Sequence, residues 1–260
     1  MLDERKLRAA RNNAEWCDAV CRAHENPGDF HESLWLSRHP VPRFYPNAVT
    51  LAEPGERQLE LIDELIASGL PAGWAVKDSF SMLDLEPRGF QMLFAAEWIH
   101  LAVSALRDIA TAVKVDRWEV VRSDRALAQW ESAWSRAGGD AGGERIFEPL
   151  LLADRDIVLV AGYRDGQIIA GAIANRSDDV VGWSNFFAPE AERFDCAMAS
   201  LATIAHIFPG SPIVGYEHGD DLRYARAAGF ESLGPLRVWT FRASNVVARG
   251  PRDDRGDDFG

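Results

Sequence analysis

Three short strand-like segments separated by tight turns, in the second half of the chain, constrain the fold more than any other feature. Residues 157–163 form a nearly unbroken apolar run, which is typical of a strand covered on both faces. Asp165 and Gly166 follow, a pair that accepts the positive φ angles of a hairpin turn. Residues 167–174 and 180–187 are rich in β-branched, small and aromatic side chains, and a polar turn separates them. The stretch therefore predicts a three-stranded β-meander.

The size and composition of the chain indicate a folded protein. Its 260 residues allow one large domain or two small ones, and 47% hydrophobic residues with nine tryptophans suffice for a core. The formal net charge of −12 argues against nonspecific nucleic-acid binding, which needs Lys and Arg to neutralise phosphates. No apolar run approaches the length of a membrane span, and the charged amino terminus leads into no signal-type segment. We therefore predict a cytoplasmic protein without nucleic-acid or membrane partners, and the sequence leaves its oligomeric state open.

Cys17, Cys21 and His24 lie at helical spacing on one face of a predicted helix, and they allow two interpretations. One is a metal or redox site. The other is the buried stripe of an amphipathic helix, which Ala10 and Ala14 continue. A structural zinc site usually takes four ligands, and no second Cys or His pair follows at suitable spacing, so we predict no metal. Three cysteines in all make no disulfide framework.

Local patterns predict both helices and strands in the first half of the chain. Pro40, Pro42 and Pro46 exclude a regular helix between residues 30 and 46 and favour extended chain. Residues 90–100 are apolar without a clear period, so they fit either a strand or the opening of a helix that reaches about residue 113. The other predicted elements are a helix over residues 3–24, a strand over 48–51, a helix with Leu59, Ile62, Leu65 and Ile66 on one face, and a strand over 74–78.

The second half of the chain shows a regular alternation of strands and helices. Ser123 is placed to cap one helix and Gly229 to end another in a left-handed conformation. Residues 137–144 contain four glycines and predict a loop, whereas the polar, Gly-rich residues 243–260 predict a disordered tail. The predicted order is a strand over 118–121, a helix behind it, the meander, a helix over 190–208, a strand over 212–217, a helix over 220–228 and a strand over 236–241.

This order of elements, with Gly229 and Phe230 after the penultimate helix, resembles the GNAT superfamily of acyl-CoA-dependent N-acyltransferases. The resemblance covers roughly half of the chain. It implies an α/β fold with a mixed sheet, in which residues 116–242 form a GNAT-like domain. The strand and helix over residues 48–65 resemble a second, degenerate copy of the first strand and helix of this domain. Residues 1–115 are therefore predicted to form an N-terminal α/β region, interpreted as a degenerate GNAT-like half.

The resemblance also implies a ligand site. In such enzymes the third meander strand diverges from the strand after the long helix, and acyl-CoA binds in the V-shaped gap with its pantetheine arm along the exposed strand edge. Its pyrophosphate rests on the amino end of the long helix, where free N–H groups and the helix dipole attract an anion. The implied cofactor is acetyl-CoA or another acyl-CoA. Its implied contacts in this sequence are Asn185, Phe186, Phe187, Ala188 and Arg193.

The sequence departs from the family pattern at the expected pyrophosphate site, where the family has an Arg or Gln followed by a Gly-rich turn. Pro189 has no N–H to donate. Glu190 and Glu192 are expected to satisfy the positive end of the helix, each by about 0.3 to 1 kcal/mol. Arg193 is the only compensating charge expected nearby. The segment therefore indicates a degenerate phosphate site.

The candidate catalytic residues follow from the same resemblance. Many family members carry a general-acid Tyr four residues before the Gly that ends the penultimate helix, but that position holds Ala225. Tyr224 lies one residue earlier, about 100° round the helix, and is either the acid or a packing or surface tyrosine. Glu217 and His218, at the end of the strand that borders the gap, are the candidate bases, with a plain solvated strand end as the alternative.

Two functions stay open on this sequence. The first is an acyltransferase that moves an acyl group from CoA to a small amine. The second is a noncatalytic module of the same fold that binds a ligand or another protein, because fold alone does not determine chemistry. No Walker-type phosphate loop, Gly-x-Ser-x-Gly elbow or His-Glu-x-x-His helix points to a different chemistry.

Overall fold

The computed structural model describes residues 3–112, 117–138 and 143–242. The predicted tail, residues 243–260, and the middle of the predicted Gly-rich loop lie outside the described residues. The helices are α1 (Glu4–Ala23), α2 (Glu56–Ala67), α3 (Val103–Ala112), α4 (Asp124–Ala137), α5 (Arg193–Ile207) and α6 (Gly219–Ala227). The strands are β1 (Asp29–Phe30), β2 (Leu34–Leu36), β3 (Ala48–Thr50), β4 (Ala75–Asp78), β5 (Phe90–Leu101), β6 (Trp118–Val120), β7 (Ile157–Arg164), β8 (Gln167–Ser177), β9 (Val180–Phe187), β10 (Ile213–Glu217) and β11 (Glu231–Phe241).

The predicted meander is confirmed as β7, β8 and β9, which pair antiparallel in sequence. Asp165 and Gly166 make the first turn with φ angles of 50° and 79°, the left-handed values that a tight hairpin requires. The apolar run of β7 is covered on both faces, as predicted. Val160 packs with one core cluster, whereas its neighbours Leu159 and Ala161 pack with another.

All eleven strands of the described residues join one mixed sheet, in the order β1-β2-β3-β4-β11-β5-β10-β9-β8-β7-β6. The ambiguous stretch at residues 90–100 is a strand, β5, and α3 begins only after it. β5 lies between β11 and β10, and it pairs antiparallel with both. Strands from residues before and after 115 therefore alternate within a single sheet, and the predicted division into residue ranges stays a prediction.

The helices cover both faces of this sheet. One face buries Leu106 of α3, Leu201 of α5 and Ala225 of α6 in a common core. The opposite face packs α1 and α4 through Trp16, Leu127 and Trp130. α2 covers the outer strands β2 to β4 in a separate cluster. None of the helices in the described ranges combines the length and the apolar character needed to cross a membrane.

The amino-terminal helix carries the predicted buried stripe, which is confirmed: Ala10, Ala14, Cys17 and Cys21 are all at most 1% exposed. Burial raises the pKa of both thiols, that of Cys17 to about 11, so both keep their protons at neutral pH. The ring of His24 points elsewhere, with Nε2 2.8 Å from the carbonyl oxygen of Ile146.

A pair of asparagines fastens α1 to the sheet. Asn12 Nδ2 donates to the carbonyl oxygen of Asn175 at 2.9 Å, and Asn175 Nδ2 donates back to the carbonyl oxygen of Asn12 at 3.2 Å. Asn12 also donates to Ser177 Oγ at 2.8 Å. Gly182 on β9 makes room for the pair, because a Cβ there would lie 2.2 Å from Asn12 Oδ1. The contact holds α1 directly across β8 and β9.

Candidate functional site

The predicted gap between β9 and β10 is present. The two strands pair in parallel only at Val181 with Ile213 and at Val214 with Gly182. Beyond that point β10 stays paired with β5 as far as Glu217, whereas β9 stays paired with β8 as far as Phe187. Among the described strands, none pairs with residues 183–187 of β9 on the β10 side.

Two backbone features accompany the divergence. Gly215 follows Val214, the last residue of β10 that pairs with β9. A Cβ at Gly215 would lie 2.8 Å from the carbonyl oxygen of Trp183, so this close approach of the two backbones needs glycine. Asn185 has a φ of 52°, a left-handed conformation that asparagine tolerates better than most residues. The register of β9 against β8 shifts between Ile173 and Gly171, opposite this residue. This bulge bends β9 away from β10.

A pocket of about 330 Å³ occupies the gap. It extends from the amino end of α5 and the start of α6, through the split sheet, to α1 and β4 on the other face. The structure brings five predicted residues together in its lining, namely Asn185, Phe186, Arg193, Glu217 and His218. Their roles stay predictions, but their positions agree with a shared site.

Glu217 is the most perturbed titratable group of the pocket. Its half-buried side chain lies where burial, and then the neighbouring charge of Asp221, raise the pKa of the carboxyl from 4.5 to about 8, while Arg193 opposes the shift. A carboxyl with this pKa is mostly protonated at pH 7 and becomes a base just above it. Such a pKa suits proton transfer, because a general base works best near the operating pH.

His218 and Tyr224 differ in their relation to the pocket. His218 is exposed at the rim, with its ring 5.2 Å from that of Phe94. Tyr224 does not line the pocket, and its hydroxyl lies 3.4 Å from Glu190 Oε1 instead. Ala225, the position at which the family pattern has tyrosine, is 4% exposed and packs in the core. The one-residue offset therefore turns Tyr224 toward the amino end of α5.

The three residues around the end of β9 point in different directions. Phe187 and Ala188 are buried and do not line the pocket, and the Phe187 ring lies 5.2 Å from Trp130 in the core between α4 and the sheet. Phe186 faces the other way, with its ring 5.1 Å from that of Trp183. The Arg193 guanidinium lies 5.2 Å from the Phe186 ring, so Phe186 fills part of the gap.

The amino end of α5 differs from the expectation for its acidic residues. Glu190–Glu192 forms a 3₁₀ turn, and the Glu192 side chain makes no capping hydrogen bond. Its carboxylate instead forms an ion pair with Arg164, which the sequence had not indicated as a neighbour. Arg193, the expected compensating charge, donates through Nε to Asp221 Oδ1 at 2.7 Å. Both arginines near this helix end are therefore engaged by carboxylates.

The sequence did not point to a second group of pocket residues, which comes from the first half of the chain. Lys77 of β4 is 3% exposed, and its Nζ donates to Asn13 Oδ1 at 2.7 Å. The same ammonium lies 4.1 Å from the centroid of the Tyr216 ring. The Tyr45 hydroxyl is buried near the side chains of Asn185 and Trp16, and no described group accepts a hydrogen bond from it. The one available signal was a lysine that directly follows three apolar residues in the strand predicted at 74–78.

Comparisons with known proteins support the fold. No protein-family model matches the sequence, and no curated protein matches it. A conserved protein of unknown function from Staphylococcus epidermidis superposes with a TM-score of 0.61 and 12% identity, covering 84% of this chain and 94% of its own. A GCN5-related N-acetyltransferase from Kribbella flavida superposes with a TM-score of 0.58 and 17% identity, covering 92% of this chain and 97% of its own. The N-myristoyltransferase of Saccharomyces cerevisiae, in a structure with bound myristoyl-CoA, superposes with a TM-score of 0.50 and 9% identity, covering 81% of this chain and 62% of its own.

The similar structures identify the architecture rather than the chemistry, since their identities to this chain are all low. The chain has a GNAT-superfamily fold, an α/β architecture with one mixed sheet and helices on both faces. The predicted resemblance is confirmed at this level. The N-acetyltransferase and the N-myristoyltransferase share this fold, and the fold leaves the chemistry of this chain to be inferred from its site.

Proposed function

We propose that the protein transfers an acyl group from an acyl-CoA to a small amine that binds in the pocket between β9 and β10. The observation that carries the proposal is the divergence of these strands beside Glu217. The unpaired edge of β9 fits the amide groups of a pantetheine arm, because residues 183–187 have no partner on that side. The N-acetyltransferase and N-myristoyltransferase of similar fold make acyl transfer the first chemistry to test.

Acyl-CoA supplies an acyl group activated as a thioester. In the proposed reaction Glu217, in its ionised form, accepts a proton from the attacking amine nitrogen. Backbone N–H groups of β9 near Asn185 and Phe186 stabilise the charge that develops on the carbonyl oxygen. The carbon–sulfur bond then breaks, and the proton held by Glu217 is available to the leaving thiolate. We assign the base to Glu217 rather than His218 because only Glu217 is withdrawn from solvent.

The amino end of α5 supports the alternative, a noncatalytic module that binds a ligand. Pro189 offers no N–H, and the carboxylates of Glu190 and Glu192 stand where the pyrophosphate of a CoA would rest. The pairing of Arg193 with Asp221 also removes the nearest cation from that role. This helix end does not fit a pyrophosphate, so a CoA would have to be held mainly along the β9 edge.

Binding and turnover of acetyl-CoA decide between the two functions. In a thermal-shift titration, acetyl-CoA at 100 times its Kd stabilises the native state by about 2.7 kcal/mol, and we expect a clear rise in Tm. Release of free CoA thiol in the presence of an amine panel then measures transfer. We expect Glu217→Gln to retain the Tm shift and to lose at least about 100-fold in kcat/KM, whereas Glu53→Gln, an exposed loop carboxyl, leaves both unchanged. No Tm shift at millimolar acetyl-CoA supports the noncatalytic module.

A further inference from the structure

The inner end of the pocket holds a buried positive charge without a carboxylate partner. Lys77 is 3% exposed, and no carboxylate oxygen of the described residues lies within 4.0 Å of its Nζ. Its Nζ donates to the neutral Oδ1 of Asn13 and lies over the face of the Tyr216 ring. Buried ammonium groups are costly unless they are paired, because the interior cannot replace the water that they lose. This end of the pocket is therefore suited to bind an anion.

A second donor lies in the same end of the pocket. The Tyr45 hydroxyl is buried near the side chains of Asn185 and Trp16 but has no acceptor among the residues that the structure describes, and Tyr45 lines the pocket together with Lys77 and Asn13. Burial raises the pKa of Tyr45 well above its ordinary value, so the hydroxyl keeps its proton and can donate it in a hydrogen bond. The ammonium has N–H groups beyond the one that it donates to Asn13, and the phenol hydroxyl has no acceptor among the described residues, so together they are suited to a small oxyanion.

The opposite end of the pocket has the opposite character. Glu217 and Asp221 both line it, and Arg193 compensates only one of these two carboxyl groups directly. An amine nitrogen is favoured here, because it can accept a hydrogen bond from the protonated Glu217 carboxyl or, as an ammonium, pair with that group once it ionises, whereas an anionic group is favoured beside Lys77. A ligand that satisfies both ends carries an amine and an oxyanion in one small molecule. With a single lysine at the anionic end, a singly charged carboxylate matches better than a doubly charged phosphate.

We infer that the pocket binds an amino acid, with its amine toward Glu217 and its carboxylate on Lys77 and Tyr45. The inference rests on the proposed function and names the class of the acceptor. Lys77 is a binding and specificity residue in this arrangement, since it contacts the carboxylate and not the reacting nitrogen. A panel of amino acids of different length measures which separation between the amine and the carboxylate the pocket accepts.

The test compares amino acids with the amines that remain when the carboxylate is removed. The pairs are phenylalanine with phenethylamine, leucine with isoamylamine, γ-aminobutyrate with propylamine and ε-aminocaproate with pentylamine. Binding to the full chain is measured by calorimetry without acyl-CoA. A charge-assisted hydrogen bond contributes about 1.5 to 3 kcal/mol, so at least one amino acid should bind about 10- to 100-fold tighter than its amine. In Lys77→Met we expect this ratio to fall below about 3-fold.

Lys6→Met is the matched control, because Lys6 is also buried, at 7% exposure, but donates to the carbonyl oxygen of Pro235 outside the pocket. It should keep the wild-type ratio. Tyr45→Phe removes a single oxygen and should lower the ratio about 2- to 10-fold, which keeps the test informative if Lys77→Met fails to fold.

The inference is overturned if no amino acid binds tighter than its matched amine, or if Lys77→Met or, should that variant not fold, Tyr45→Phe keeps the wild-type ratio. These outcomes are separate from the fate of the proposed function. Carboxylate-dependent binding without any acyl transfer supports the pocket assignment and removes the enzyme. Transfer of acetyl groups to amines and amino acids at equal rates supports the enzyme and removes the pocket assignment.

Discussion

Replacing Glu217 with glutamine should change the pH dependence of stability in a direction that the structure predicts. The native state raises the pKa of this carboxyl from 4.5 to about 8. Between these values the native protein keeps the proton while the unfolded chain loses it, so the native state binds more protons. The free energy of unfolding of the wild type must then fall as pH rises through this window, relative to a variant whose side chain cannot ionise.

The size of the effect follows from the shift. Each pKa unit corresponds to about 1.4 kcal/mol, so a shift of roughly 3.5 units sets an upper limit of about 5 kcal/mol. Solvent reaches part of the half-buried side chain and reduces this cost. We expect Glu217→Gln to match the wild type near pH 4, below the unfolded pKa, and to be about 2 kcal/mol more stable at pH 8 to 9.

Urea unfolding of both proteins at intervals from pH 4 to pH 9 measures the difference directly, and subtraction cancels the groups that the two proteins share. Glu53→Gln, which changes an exposed loop carboxyl, serves as the control and should show a flat difference. A difference for Glu217→Gln that is also flat, or that favours the wild type at high pH, would refute the assignment of Glu217 as a carboxyl held protonated by its surroundings.

Two further changes test the fold and the site. Gly182→Ala places a Cβ 2.2 Å from Asn12 Oδ1, and we expect the free energy of unfolding in urea to fall by about 2 to 3 kcal/mol because the hydrogen bonds between Asn12 and Asn175 must break. Gly55→Ala, where a Cβ meets open space, is the control and should cost under about 1 kcal/mol. Equal losses in the two variants would contradict the role of the asparagine pair. Tyr224→Phe should leave kcat of any acyl transfer within about 3-fold of the wild type, because the hydroxyl lies against Glu190 rather than in the pocket, and a loss of about 100-fold or more would restore it as the acid.

Features with local causes could be predicted from the sequence. The meander depends on period, on β-branched residues and on the turn at Asp165 and Gly166, all of which are set within a few residues. The same holds for the buried stripe of α1, which its spacing revealed. Glu217 was found because it ends a recognisable strand beside the expected gap, although its pKa of about 8 depends on Asp221 and on burial.

Features that depend on distant partners could not be predicted. Residues 90–100 have no clear period because β5 is paired on both sides over part of its length, and only the sheet makes it a strand. Phe186 and Phe187 face opposite ways because neighbouring residues of a strand alternate, but which ring lines the gap and which enters the core depends on the register of β9 past the bulge at Asn185.

The sequence by itself determined the elements, the order that indicates a GNAT-superfamily fold, and one wall of the candidate site. Only the tertiary structure brought Lys77 and Tyr45 into that site, from strands and loops far away in the chain. The physical reason is that helix and strand formation are governed by neighbours along the chain, whereas a pocket is formed by side chains whose contacts exist only after the sheet has assembled. The charge at the inner end of the pocket, and with it the proposed ligand class, therefore belongs to the fold rather than to any motif.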